Sequence, residues 1–151
     1  MKFQQFLENQ GTYVGVKVDS ASSEWLQELQ KTLKLNNPLE SSKFHATVLY
    51  SRNGIEVPST GNSYDAEAYR VDSWKDQEGK SVVIVKLKSE GLKNRHDDLI
   101  DAGGTHDFPE YNAHITLSYD DAVKPLDISQ PINLIDEYSE PLDLDWVEKS
   151  A

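Results

Sequence analysis

The sequence has 151 residues, with no cysteine and a single methionine. Without thiols the chain cannot build a disulfide framework, a thiolate metal site or a cysteine nucleophile. It also lacks any apolar run near the roughly 18–20 residues that a membrane-spanning helix needs. The opening residues, Met1-Lys2-Phe3-Gln4-Gln5, carry no long apolar stretch of the secretory kind. These absences predict a soluble, cytoplasmic protein with no membrane partner. No linker or low-complexity stretch interrupts the chain. At 37% apolar and 27% charged residues the composition is globular. A single domain over residues 1–151 is expected, ending in an acidic tail.

Basic residues are scarce where they would matter for a nucleic-acid groove. The net charge is −11, and residues 96–151 hold 2 Lys+Arg against 14 Asp+Glu, whereas residues 1–95 hold 13 against 12. Proteins that grip long DNA or RNA neutralise phosphates with a basic surface. Long nucleic acid is therefore excluded as a partner, while a short anionic ligand remains compatible with a small local group of donors. The acidic end reads as a solvated surface.

The periodicity alternates between strand and helix. A β-branched strand is expected over 11–18, a helix over 24–33 with apolar Trp25, Leu26, Leu29 and Leu33, and strands over 44–50, 63–74 and 81–88. A second helix over 91–102 closes on Gly103-Gly104, followed by strands over 111–119 and 132–138. The order β-α-β-β-β-α-β-β contains strand–helix–strand twice.

That repetition lands on chemistry. His45-Ala46-Thr47 lies in the first half and His114-Ile115-Thr116 in the second. In a strand, residues two apart share a face, so each segment offers a His and a Thr on one side and apolar residues on the other. One neutral imidazole can accept a proton from a nucleophile while a protonated one gives a proton to a leaving oxygen. Histidine titrates near pH ~6.5, so both forms are accessible. Two threonine hydroxyls can donate to non-bridging phosphoryl oxygens. Such a site needs no metal or other cofactor. His96 and His106 lack the threonine and are expected on a helix surface and in a loop. Asp97, Asp98 and Asp101 near His96 do not have ligand spacing, because neighbouring helical residues point apart.

The paired motifs resemble those of the 2H phosphoesterase superfamily, which includes the LigT-type RNA ligase/cyclic phosphodiesterases. The resemblance runs from about Tyr13 to Tyr138. It departs at Ala113, where the family commonly has proline before the second histidine. It implies an α+β, bilobal LigT-like fold: two antiparallel sheets around a central cleft, helices outside, and His45, Thr47, His114 and Thr116 lining the cleft as catalytic residues. The short length, acidic end and aromatic set are closer still to phage nucleases that destroy cyclic di- and trinucleotide messengers of bacterial antiphage signalling. That resemblance implies metal-independent cleavage of a 3′–5′ phosphodiester by attack of a ribose 2′-OH, with a small cyclic oligonucleotide as partner and no obligate protein partner.

A cyclic nucleotide also needs contacts to its bases, which aromatic faces can stack on. Tyr13 on the first strand, Trp74 at the end of a middle strand and Trp146 in the tail are candidates. A tryptophan in that polar tail either docks onto the body or covers a ligand. Glu140 can accept from amino and imino groups of a purine. Tyr50, Tyr111 and Tyr119 read as packing residues, and Trp25 as core. Competing readings are a 2H enzyme that opens 2′,3′-cyclic or 2′–5′ RNA phosphates, a non-catalytic nucleotide sponge, and an acidic nucleic-acid mimic. The sponge and the mimic leave the two imidazoles unexplained.

Overall fold

Extended segments and amphipathic helices alternate along the chain, and the computed structural model describes residues 10–57, 60–76, 78–106 and 110–143. Among them the order is β1 (Gln10–Val18), α1 (Ser20–Thr32), one 3-10 turn (Ser41–Lys43), β2 (His45–Ser51), β3 (Tyr64–Lys75), β4 (Ser81–Lys88), α2 (Glu90–Asp101), β5 (His114–Tyr119) and β6 (Leu126–Asp143). The element order is the expected one.

Helix α1 starts four residues earlier than its apolar stripe suggests. The Asp19 carboxylate accepts from the Ser22 amide at 2.8 Å, so Ser20–Ser23 form the first turn rather than a loop. Ser89 caps α2 in the same way, accepting from the Leu92 amide at 3.2 Å. Leu26, Leu29, Leu92 and Leu99 face inward and join Val14, Val16, Val48, Val83, Val85, Ile115, Leu117, Ile132 and Leu134 in one core.

All neighbouring strands are antiparallel and close into a ring in the order β1-β2-β5-β4-β3-β6. The two expected sheets are the two halves of this ring. The long β6 serves both. Its first half pairs with β3, from Leu126 opposite Val71 to Leu134 opposite Tyr64. Its second half pairs with β1, from Leu134 opposite Val18 to Asp143 opposite Gln10. Between the halves the register shifts near Asp136, which takes a left-handed backbone (φ 53°). On the opposite side of the ring, β2 and β5 meet at a single register pair, Ala46 opposite Ile115. That narrow seam is where both His-x-Thr motifs lie.

The ends of the seam are tied from outside. Buried Gln30 of α1 donates to the Leu39 and Leu117 carbonyls, at 3.0 and 2.9 Å. Asp121 accepts from the Asn36 and Asn37 amides and from Ser118 Oγ, which holds its carboxyl below the usual carboxylate range. Glu137 is buried against Arg95 (2.9 Å), Tyr64 and Asn62. Two carboxylates of the acidic half, Asp121 and Glu137, are therefore structural rather than solvated.

Candidate active site

Ala46 and Ile115 are fully buried, so their strand neighbours His45, Thr47, His114 and Thr116 emerge on the opposite face, each partly exposed. Because Ala46 opposes Ile115, the antiparallel register sets His45 against Thr116 and Thr47 against His114. The four side chains thus form a crossed quartet on one surface. The chain repeats itself here with an offset of 69 residues, which separates His45 from His114 and Thr47 from Thr116.

Each histidine opens its strand and is oriented by the backbone two residues before it. His45 Nδ1 lies 2.8 Å from the Lys43 carbonyl, and His114 Nδ1 lies 2.9 Å from the Asn112 carbonyl. A carbonyl only accepts, so Nδ1 carries the proton in both rings and Nε2 is the nitrogen left for a reacting group. Burial pushes the His114 imidazole below its ordinary range; its bond to the Asn112 carbonyl opposes this, and the charge of His45 adds to it.

Tyr13 comes to the site through its hydroxyl, 3.1 Å from Thr47 Oγ1, with its ring edge-on to His45 at 6.3 Å. Gly15 makes this possible. It pairs with Thr47, and a Cβ there would lie 2.8 Å from the Tyr138 hydroxyl and 2.9 Å from the Tyr13 ring. Burial raises the Tyr13 phenol above its usual range, so it remains a neutral hydroxyl able to orient Thr47. Glu140 pairs with Tyr13 across β1 and β6, and its charge helps raise both the Tyr13 and Tyr138 phenols. On the other side of the quartet, the Trp74 ring lies 4.6 Å from His114. A cavity of about 690 Å³ opens there, lined by Thr47, Trp74, His106, Tyr111, Asn112 and His114 among others. This volume suits a small organic ligand. Trp146 lies outside the described residues.

Sequence reasoning missed what supports β2. Val48 is an extra residue on that strand: Leu49 opposes Val14 and Thr47 opposes Gly15, with Val48 between them unpaired. Two carbonyls freed by this bulge and by the short seam are capped from α2 and the following loop. His96 Nδ1 donates to the Val48 carbonyl at 2.7 Å, and the Tyr111 hydroxyl donates to the Thr47 carbonyl at 2.6 Å. The His96 and Tyr111 rings stack at 4.3 Å. His96, expected on the helix surface, is instead only 4% exposed. The signal was present, since His96 falls four residues after Leu92 and three before Leu99, on the apolar stripe of α2. Tyr119, expected to pack, is 50% exposed.

The solved structures agree with the LigT-like fold that the paired His-x-Thr motifs led us to expect. A Thermus thermophilus protein, TT0787, superposes with a TM-score of 0.60 at 14% identity, covering 87% of this chain and 94% of the other. E. coli LigT complexed with phosphate gives 0.52 at 14% identity, over 89% and 95%. The family model described as anti-CBASS protein Acb1 matches residues 10–149. The anti-CBASS protein Acb1 of Vibrio phage KVP40 is 54% identical over 147 residues, 97% of each chain, and that of Enterobacteria phage T4 is 41% identical over 153 residues, 98% and 97%. The chain belongs to the anti-CBASS protein Acb1 family.

Proposed function

We propose that this protein is a metal-independent phosphodiesterase that opens 3′–5′ bonds of cyclic di- and trinucleotide messengers, such as 3′,3′-cGAMP, and so counters CBASS defence in the cytoplasm of the infected host. The observation that carries the reading is the crossed quartet, with two imidazoles locked in the same tautomer and a threonine opposite each. The name of the relatives supplies the biological setting, and LigT, which shares the fold, is complexed with phosphate in one structure and with 3′-AMP in another.

The chemistry is set by which groups are available. The scissile phosphate sits over the β2–β5 seam, where Thr47 and Thr116 donate to its non-bridging oxygens and stabilise the charge that grows on them. His114, whose lowered pKa keeps Nε2 unprotonated, accepts the proton of the ribose 2′-OH as that oxygen attacks phosphorus. His45 Nε2 delivers a proton to the departing 5′-oxygen. The product carries a 2′,3′-cyclic phosphate; water then opens it with the two histidines exchanging roles. Tyr13, Trp74, Glu140 and Trp146 are assigned to the bases, with Tyr13 also holding the Thr47 hydroxyl.

The test is incubation with 3′,3′-cGAMP in excess EDTA, followed by chromatography of the products. Linear products are expected at an undiminished rate. His45→Ala and His114→Ala each lower kcat by about 10²–10⁴-fold, the usual worth of a general acid or base. Recovery of intact nucleotide after denaturing the wild-type protein identifies a sponge instead.

A further inference from the structure

The 69-residue offset extends beyond the two motifs. Lys17 opposes His45 across β1 and β2, and Lys86 opposes His114 across β4 and β5; these two lysines are separated by 69 residues as well. Directly opposed residues of an antiparallel pair share a face with their Cβ atoms about 4.5–5.5 Å apart. A lysine therefore stands beside each histidine on the cleft side, one strand further from the seam. Each ammonium is held over an aromatic ring. Lys17 Nζ is 5.9 Å from the centre of the Tyr138 ring, and Lys86 Nζ is 5.7 Å from that of Trp74, the ring that touches His114.

The acid–base chemistry uses neither lysine, and the chain carries 26 acidic residues against 15 basic ones. Cations placed symmetrically around the quartet stand out against that background. Lys86 shares the Asp72 carboxylate with Arg70, at 3.7 and 3.8 Å. Lys17 makes no ion pair among the described residues and is exposed. The two lysines lie on strands three steps apart in the ring, roughly 14 Å at the usual strand spacing. Each ammonium lies over a ring carried by the next strand outward, Tyr138 of β6 and Trp74 of β3, so both charges sit outside the seam where the reacting phosphate is held. This placement suits a ligand whose other phosphates flank the one being cut.

We propose that Lys17 and Lys86 are phosphate-binding residues for the phosphodiesters that are not being cleaved, and that they give the site its preference for cyclic oligonucleotides over substrates with a single phosphodiester. This rests on the proposed phosphodiesterase reading. Each lysine contributes a charge-assisted contact to a non-scissile phosphate, while the seam holds the reacting one.

Lys17→Met and Lys86→Met keep the aliphatic stems and remove the charge. Two measurements test them: kcat/KM for 3′,3′,3′-cyclic triadenylate, which has two phosphodiesters besides the one being cut, and for linear ApA, which has one phosphodiester, and calorimetric binding of the cyclic triadenylate in a His114→Ala background. Each substitution is expected to lower the cyclic-to-linear ratio of kcat/KM about tenfold, to weaken binding by a similar factor and to flatten the dependence of affinity on KCl concentration. Lys→Arg at either position restores most of the loss. An unchanged ratio with unchanged affinity overturns the proposal, and so does an equal loss on both substrates, which would place the lysines on the scissile phosphate. If the wild-type protein binds the cyclic nucleotide without cutting it, the phosphodiesterase reading fails, and the binding arm alone decides the role of the lysines.

Discussion

At the scale of single residues, the proposed site depends on hydroxyls and imidazoles being aimed before a ligand arrives. Thr47 illustrates how many neighbours this takes. Its hydroxyl meets Tyr13, its carbonyl is capped by Tyr111, the residue opposite it is a glycine, and the next carbonyl along is capped by buried His96. The His-x-Thr spacing is enough to find Thr47 and its face. The apolar stripe of α2 shows that His96 is buried, but what it and Tyr111 hold is not legible in the sequence, because they reach β2 from 48 and 64 residues away and no local pattern encodes such a contact. Thr47→Val replaces the hydroxyl with a methyl of the same shape. It is expected to reduce kcat about 10²–10³-fold, the typical worth of one donor to a developing oxyanion, with little change in thermal midpoint. Thr47→Ser retains most of the activity. Equal kcat values for the Val variant and the wild type exclude Thr47 from the reacting phosphate.

At the scale of elements, boundaries are harder to read than identities. The pattern over 132–138 predicts a short last strand, yet β6 spans 18 residues, because Pro131 and Pro141 argue against a continued strand when the partner is unknown. In the ring they are tolerated at positions opposite Glu67 and Thr12, and one strand serves two neighbours in turn. Only the closed topology shows why it must be so long. Helix α1 looks too short in the sequence for a related reason: Asp19 to Ser23 is rich in cap-type residues, and only the fold shows that Asp19 is the cap and Ser20–Ser23 the first turn. Asp19 also accepts from Asn133 Nδ2 at 3.2 Å, tying the helix start to β6, and these bonds hold its carboxyl below the usual range. Asp19→Ala is expected to cost about 0.5–2 kcal/mol in urea unfolding, as for other N-caps, while Asp19→Asn costs less. An Ala variant as stable as the wild type removes the cap from the account.

At the scale of the whole molecule, charge and protonation set the working range. His96 and His114 both have imidazoles lowered mainly by burial. Unfolded, they bind protons below pH ~6.5; folded, they resist until a lower pH. The unfolded state therefore binds more protons in that interval, and stability falls as pH drops from about 6.5 toward the folded-state values. Urea midpoints are expected to be flat from about pH 7 to 8 and to decline below about 6.5. A midpoint unchanged between about pH 7.5 and 5.5 contradicts the burial assigned to these rings. Asp19 and Asp121 act further down the scale. Their lowered carboxyls stabilise the fold above the ordinary carboxylate pKa, and that contribution is lost as pH falls through their depressed values.

In the proposed reaction the same titrations govern turnover. If one imidazole must be neutral and the other protonated over a single phosphorus, kcat/KM for 3′,3′-cGAMP must rise and fall with pH. The decisive measurement is that profile between about pH 4.5 and 9.5 in EDTA. A bell is expected, with its acid limb below the ordinary imidazole pKa of ~6.5, because burial lowers His114, the proposed base. A rate independent of pH across that range contradicts the two-histidine site.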